Sequence, residues 1–301
     1  MTTSGVRAVS ESRLTEQLLA IEHLMIESIR RSPLAETDVN PAALLGSGKR
    51  LRARLVLRVA PTAGSADTAL IVGAAVEMVH AASLLHDDVI DGGHLRRGAP
   101  AFWVTHGVQA AILVGDLLLC AAYDLLRHGA PIEVQHALAE HTREVCLAEV
   151  EQELVRRGRP TTWAAAERAA RQKTGALFAF AGYGAAGARG PLAESLREAG
   201  YLAGTAYQLS DDLLDMNGDS HMAGKTLGRD AERRKPTTAA LTGGDPAPAR
   251  RRLAELRADA ERLLANWSEA LDAWRTFWAF DLQPALDANA HPVRLVRRHE
   301  S

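Results

Sequence analysis

Two clusters of aspartates are the residues in this sequence best suited to chemistry. Each has DDxxD spacing and follows an apolar run, and together they comprise Asp87, Asp88, Asp91, Asp211, Asp212 and Asp215. Residues four apart share one face of a helix, with Cβ atoms about 5–6 Å apart, so each cluster holds two carboxylates that repel unless a cation lies between them. Such oxygens suit Mg²⁺, which fills its other positions with water and substrate phosphate. One cluster alone is equally compatible with a solvated acidic face, but two of the same spacing favour a metal site.

Basic residues supply what a phosphorylated substrate would need. They lie beside a glycine break, after the first acidic cluster and after the second, and include Lys49, Arg50, Arg52, Arg96, Arg97, Lys225 and Lys235. Each of these taken alone is most simply a solvated charge. Lys173 differs, because it stands in an otherwise apolar helical segment, where an unpaired ammonium is costly unless an anion meets it. Arginine grips phosphate in a bidentate manner and lysine supplies a compact charge, so these cations favour a phosphate-bearing substrate.

Hydrophobic periodicity predicts that helices position these groups. We expect an all-α chain with helices at about 12–31, 67–91, 103–127, 132–157, 162–187, 191–216, 236–242, 247–271 and 272–288. No convincing strand is found. We expect residues 1–301 to form a single domain, because the Gly243–Pro246 turn reads as a surface turn and not as a linker.

Composition excludes several classes of protein. A formal net charge of −2 argues against nucleic-acid binding driven by overall charge. No apolar run reaches the roughly 18 residues of a membrane span, and the N-terminus lacks the apolar core of a signal peptide, so we expect a cytoplasmic protein without an integral membrane segment. Cys120 and Cys146 lie in apolar helical patterns, which predicts reduced thiols in the core.

With these motifs the sequence resembles the trans-isoprenyl diphosphate synthases, also called polyprenyl synthetases, over most of the chain. The segments at 87–91 and 211–215 resemble the family's two aspartate-rich motifs, and Gly48–Arg52 resembles its GKR-x-R segment. The resemblance implies an isoprenoid synthase-type helical bundle around a central apolar cavity. It also implies a homodimer that condenses isopentenyl diphosphate with an allylic diphosphate, with about three Mg²⁺ ions held by the six aspartates when substrate is bound.

The resemblance assigns roles to individual residues. The diphosphate of isopentenyl diphosphate would be bound by Lys49, Arg52, His80 and Arg97. Arg96 would grip the allylic diphosphate, and the residues that support this diphosphate and the developing cation would be Lys173, Thr174, Gln208, Lys225 and Lys235. His80, without the family, reads as a satisfied core histidine. The chain departs from the family in the glycine break at 46–48, in Gly92 and Gly93 after the first motif, and in Arg234.

The small residues Ala82 and Ser83, five and four positions before Asp87, predict a long product. In the family, bulky aromatic side chains near these positions stop growth, so we expect a geranylgeranyl (C20) or longer diphosphate. Phe178 or Phe180 could close the tunnel from another helix. Two alternatives stay open: a class I terpene cyclase, which generally has a different second metal motif, and a non-catalytic subunit of a heteromeric synthase, which tends to lose metal carboxylates.

Overall fold

The computed structural model describes residues 9–46, 48–63, 65–217, 245 and 247–290, without the side chains of 214–217 and 289–290. Helices dominate this part of the chain. They are α1 (Glu11–Arg30), α2 (Pro41–Leu45), α3 (Leu51–Val59), α4 (Ala69–Ile90), α5 (Phe102–His106), α6 (Val108–Gly129), α7 (Ile132–Val150), α8 (Trp163–Ala170), α9 (Ala176–Ala185), α10 (Gly190–Asn217), α11 (Ala247–Leu263), α12 (Ser268–Thr276) and α13 (Gln283–Ala290). The predicted all-α fold is therefore confirmed.

Short non-α turns extend or connect several helices. Two 3₁₀ turns, Pro33–Glu36 and Ala66–Thr68, precede α2 and α4. Three π-helical turns follow α7, α8 and α12, at Glu151–Arg156, Arg171–Gly175 and Phe277–Leu282. A π turn inside a helical run often marks a functional position, and the second of these carries Lys173.

The central helix is α4, which packs against α1, α3, α6 and α9. Its residues Val72 to Val79 are all buried, because nearly every side chain in this stretch is apolar. The acidic cluster occupies its C-terminal end, so the core holds the first motif in place. The long α10 packs against α9, α11 and α13 and carries the second motif near its own C-terminal end.

Four expectations need correction. A two-residue antiparallel pair, β1 (Leu95–Arg96) and β2 (Ala99–Pro100), forms in the loop after α4, where no strand was predicted. The predicted helix at 103–127 is split between α5 and α6 by Gly107, whose φ of +89° suits glycine. The helix predicted to continue to residue 271 ends at Leu263, and α12 begins at Ser268. Both cysteines are free thiols, as expected, but they are exposed rather than part of the core.

Two helical stretches of the described chain have the length and composition of a membrane span. One is α4 with its preceding turn, which is mostly buried within the fold. The other is α6, most of which is not buried by this chain. Residues 218–244 lie outside the described part, and with them Lys225, Lys235 and the helix predicted at 236–242.

Candidate active site

Lys173 joins the first acidic cluster to the π turn after α8. Its Nζ lies 4.0 Å from Asp87 Oδ2 and is ion-paired with Glu149 Oε1 on α7. Burial alone would lower the pKa of Lys173, but Asp87 and Glu149 outweigh it and raise that pKa above its ordinary value, so the ammonium stays charged. The protein itself therefore supplies carboxylate partners for Lys173, whereas the sequence favoured a substrate phosphate in that place.

Thr174, the next residue, connects the same turn to the second acidic cluster. Its hydroxyl donates to Gln208 Oε1 at 2.6 Å, and Gln208 Nε2 donates to Asp212 Oδ1 at 2.9 Å. Asp87 thus lies beside Lys173, and Asp212 is linked to the adjacent Thr174 through Gln208. The structure brings the two predicted clusters to one site.

Asp88, next to Asp87 in the first cluster, binds Arg96. The Nη2 of Arg96 donates to Asp88 Oδ1 at 2.5 Å, and its Nε lies 3.1 Å from Oδ2. Burial alone would lower the pKa of Arg96, but the bond to Asp88 outweighs it and raises that pKa. Gly93 leaves room for the Asp88 carboxylate, because a Cβ at position 93 would lie only 3.2 Å from Asp88 Oδ1. Asp88 therefore orients Arg96 at the rim of the site.

Four arginines surround His80, two turns before Asp87 on α4. Burial and then Arg52, Arg97, Arg96 and Arg50, in that order, hold the pKa of His80 well below 6.5. The imidazole is therefore neutral at pH 7. Because Arg50 is paired with Glu77 and Arg96 with Asp88, Arg52 and Arg97 supply most of the positive charge of this region. Such a region is suited to an anion of high charge density, and a diphosphate is one.

The segment before α3 is shaped by a left-handed residue and by a buried acid. Arg50 has φ +50° and donates to the Leu45 and Gly46 carbonyls. Glu77 of α4, buried among apolar neighbours, accepts the Ala53 backbone N–H at 3.1 Å and so caps the first turn of α3. These contacts fix the direction in which Lys49 and Arg52 leave the backbone.

The glycines at positions 46 and 48 leave space for the Arg97 side chain. A Cβ on Gly46 would overlap Arg97 Nη1, and one on Gly48 would lie 2.7 Å from Arg97 Nη2. The two glycines therefore admit the Arg97 guanidinium beside the α3 segment. The family departure at this point leaves the position of the cation intact.

Arg52 packs against an aromatic side chain, with its guanidinium carbon 4.8 Å from the centroid of the Phe178 ring. Its buried Nε has no hydrogen-bond partner among the described residues, so a donor is left for an anion. Phe178 also lies against Tyr207, with ring centroids 6.2 Å apart. Phe178 thus supports the positive region, whereas the sequence left open that it closes a product tunnel.

Lys49 lies near the second acidic cluster. Burial lowers its pKa, and the charge of Asp211 opposes that effect. The charge of Lys49 therefore interacts with the second acidic cluster. The backbone of Asp215 belongs to α10, but its side chain lies outside the described part.

A magnesium ion at this site would need carboxylate oxygens as its protein ligands. No group of three or more His, Cys, Asp or Glu side chains in the described part is ready-made for a metal. Asp87 is partly exposed and offers hard carboxylate oxygens from α4, and Asp212 offers another from α10. Because Mg²⁺ usually takes one or two protein carboxylates and completes its shell with water and phosphate, these residues fit the ion in the presence of a diphosphate.

Two residues of the site, Glu77 and Glu149, were not predicted from the sequence, nor was the structural role of Arg50. Glu77 carried a usable signal, because it is an acid inside an apolar helical run, as Lys173 is a base inside one. Glu149 lies in a segment rich in glutamate that reads as a solvated face, so its pairing was not accessible from the pattern.

Fold and site together define an all-α protein class with two acidic clusters and nearby arginines at one site. A family model described as polyprenyl synthetase matches residues 39–271, and the chain belongs to this family. The octaprenyl diphosphate synthase of Haemophilus influenzae is 33% identical over 196 residues, which cover 64% of this chain and 60% of that protein. The geranylgeranyl diphosphate synthase of Mycobacterium tuberculosis is 36% identical over 233 residues, covering 71% of this chain and 66% of that one.

A solved structure of similar fold is the polyprenyl synthase of Caulobacter crescentus, described as complexed with calcium and isoprenyl diphosphate. It is 28% identical, with a TM-score of 0.69, and the match covers 94% of this chain and 97% of that chain. The predicted family and fold are confirmed, and so is the reaction class, trans-prenyl transfer. The complex with a divalent cation supports the use of divalent metal in this family.

Proposed function

We propose that this protein condenses isopentenyl diphosphate with an allylic diphosphate to give an all-trans polyprenyl diphosphate. The observation that carries the proposal is the line of contacts from Asp87 through Lys173 and Thr174 to Gln208 and Asp212. Together with the arginines around His80, it provides two adjacent sites for two diphosphates.

The allylic diphosphate would bind between the acidic clusters. Bound Mg²⁺, about three ions by family resemblance, supplies charge neutralisation for the leaving group. Lys173 stays cationic beside Asp87 and would interact with the leaving oxygens, and Arg96 is held by Asp88. We assign the same supporting role to Thr174, Gln208 and the undescribed Lys225 and Lys235. When the C–O bond breaks, its electron pair leaves with the diphosphate and an allylic cation remains.

Isopentenyl diphosphate would bind in the positive region through Lys49, Arg52, His80 and Arg97. Neutral His80 can donate a hydrogen bond without adding charge, because its pKa is depressed by burial and by the arginines. The alkene then attacks the allylic carbon and forms the new C–C bond. A proton leaves the adjacent carbon, and we expect the departing diphosphate to accept it. The buried apolar faces of α4 and α9 exclude water, which would otherwise capture the cation.

We propose a product of C20 or longer. Ser83 is half-buried, one turn before Asp87, and its small side chain donates to the His80 carbonyl at 2.9 Å. Ala82 beside it is fully buried and equally small. Neither side chain presents bulk to a tail that runs down α4, which supports elongation beyond the shorter products.

We propose that the enzyme is a homodimer, and that α6 and α7 form the interface. Large apolar side chains are exposed there, among them Leu113 at 68% on α6 and Leu147 at 50% on α7. An exposed apolar area of this kind indicates burial against a partner. Because α6 alternates these residues with Asp116 and Asp124, a second protein surface suits it better than lipid.

We propose that residues 1–301 form one domain located in the cytoplasm. The shared hydrophobic core includes side chains from both ends of the described chain, α1 and α13 among them, which supports a single folding unit. Two free thiols that are exposed, Cys120 and Cys146, are typical of a reducing compartment.

The test is to incubate the purified chain alone with isopentenyl diphosphate, farnesyl diphosphate and Mg²⁺, and to identify products by mass spectrometry. Elongated diphosphates support the proposal and give the chain length. A hydrocarbon would favour a terpene cyclase. No turnover by the chain alone would contradict the proposal and favour a non-catalytic subunit of a heteromeric synthase.

A further inference from the structure

A buried ion-pair cluster connects the π turn after α12 to α3. The carboxylate of Asp281 accepts from Arg58 Nε at Oδ2 and from Arg54 Nη1 at Oδ1, both at 2.9 Å. Arg58 is held further by the Val9 carbonyl at 3.0 Å and by Glu11 Oε1 at 2.5 Å. We refer to Asp281, Arg54, Arg58 and Glu11 as the Asp281 cluster.

Arg54 extends the cluster to the site. Its Nε donates to the backbone carbonyl of Lys49 at 3.0 Å. Lys49 precedes α3 and lies outside any helix, so its carbonyl has no helical partner. A single planar guanidinium thus ties the Lys49 backbone to a carboxylate more than two hundred positions later in the chain.

The anchor end of this connection is rigid. The Asp281 side chain is only 1% exposed, and a buried carboxylate is tolerated only when cations satisfy it. Its π turn also contains Phe277 and Trp278, both fully buried, and Trp274 precedes them in the core. Arg58 fixes one oxygen of Asp281, so the other oxygen presents a fixed acceptor to Arg54.

We propose that Asp281 and Arg54 are positioning residues that hold the Lys49 segment in the conformation that binds isopentenyl diphosphate. The inference rests on the proposed function for the identity of that ligand. On one side of the segment, Arg50 secures the Leu45 and Gly46 carbonyls. On the other, Arg54 secures Lys49 itself, so the lysine's starting point is fixed from both directions.

Arg54→Lys is the test variant and Arg58→Lys is its matched control. A lysine at 54 can pair with Asp281 but lacks the fork that reaches both the carboxylate and the Lys49 carbonyl. A lysine at 58 weakens the same cluster without touching the Lys49 segment. The measurements on the full chain are calorimetric Kd values for isopentenyl diphosphate, KM values for both substrates, kcat and Tm.

We expect Arg54→Lys to raise Kd and KM for isopentenyl diphosphate about fivefold to tenfold, as for one lost hydrogen bond, with the allylic KM unchanged. Arg58→Lys should lower Tm at least as much and leave both KM values at wild-type levels. Unchanged isopentenyl affinity in Arg54→Lys would overturn the inference. An equal rise of the Kd for isopentenyl diphosphate in Arg58→Lys would also overturn it, because a general loosening of the Asp281 cluster would then explain both results.

The proposed function can fail separately. Wild-type protein that binds isopentenyl diphosphate but forms no prenyl product would contradict the proposed activity, while the two Kd values would still decide the role of Arg54. Wild-type protein that does not bind isopentenyl diphosphate at all would overturn both.

Discussion

Replacing Gly48 by alanine should weaken isopentenyl diphosphate binding without unfolding the protein. The φ of Gly48 is not positive, so alanine can adopt its backbone conformation. The added Cβ would lie 2.7 Å from Arg97 Nη2, closer than van der Waals contact allows. Because the obstructed atom is the end of a flexible side chain, Arg97 should move aside rather than the backbone. The substitution should therefore weaken ligand binding, since Arg97 is one of the cations around His80.

The size of the effect follows from the interaction that is lost. A hydrogen bond between a guanidinium and a charged oxygen contributes about 1.5–3 kcal/mol, and about 1.4 kcal/mol corresponds to a tenfold change in affinity. Arg97 is an exposed residue, so solvent screening favours the lower end. We therefore expect KM for isopentenyl diphosphate to rise about tenfold, with the allylic KM little changed.

A double-mutant cycle is the appropriate assay, because it separates the displacement of Arg97 from any other consequence of the methyl group. Arg97→Ala alone should raise KM for isopentenyl diphosphate about as much as Gly48→Ala, and combining them should add almost nothing. The Tm of Gly48→Ala should stay near the wild-type value. Additive effects, or an unchanged KM in Gly48→Ala, would refute the reasoning about the glycine break.

Four further perturbations test other parts of the site. His80→Gln should reduce the stability that the wild type loses in acid. The unfolded histidine gains a proton below its pKa of 6.5 whereas folded His80 does not, so wild-type stability falls below pH 6.5 by at most about 1.4 kcal/mol per pH unit. Coincident profiles of Tm against pH for the two proteins would contradict this. Gln208→Leu removes the donor to Asp212 and should raise the Mg²⁺ concentration for half-maximal turnover about tenfold, an expectation that fails if the titration curve is unmoved. Leu113→Glu should shift sedimentation from dimer to monomer, and an intact dimer would place the interface elsewhere. Ala82→Phe should shorten the product seen by mass spectrometry, and an unchanged product length would show that residue 82 does not limit the growing chain.

The sequence predicts the helices and the chemistry better than the connections between them. The spacing of the two aspartate clusters and the isolated charge of Lys173 follow from local patterns, and the structure brings Asp87, Lys173 and Asp212 to one site. The Arg54–Asp281 contact joins residues 227 positions apart, and no local pattern encodes such a pairing. Arg54 reads in isolation as an ordinary solvated charge.

The glycine break shows the same limit at shorter range. Gly46 and Gly48 mark a turn in the sequence, but their reason, the passage of Arg97, exists only once the loop after α4 folds back. The short β1–β2 pair that shapes this loop has two residues in each strand, too few for an alternating pattern. Tertiary contacts decide such features, and periodicity does not report them.

The central claim is that both acidic clusters hold one diphosphate through magnesium. Isothermal titration of the full chain with inorganic pyrophosphate, with and without Mg²⁺, tests it most directly, in wild type, Asp87→Asn and Asp212→Asn, with the exposed Asp272→Asn on α12 as control. Binding should require Mg²⁺ and weaken strongly in each site variant while the control stays at the wild-type level. Tight binding without Mg²⁺, or wild-type affinity in Asp212→Asn, would contradict the account.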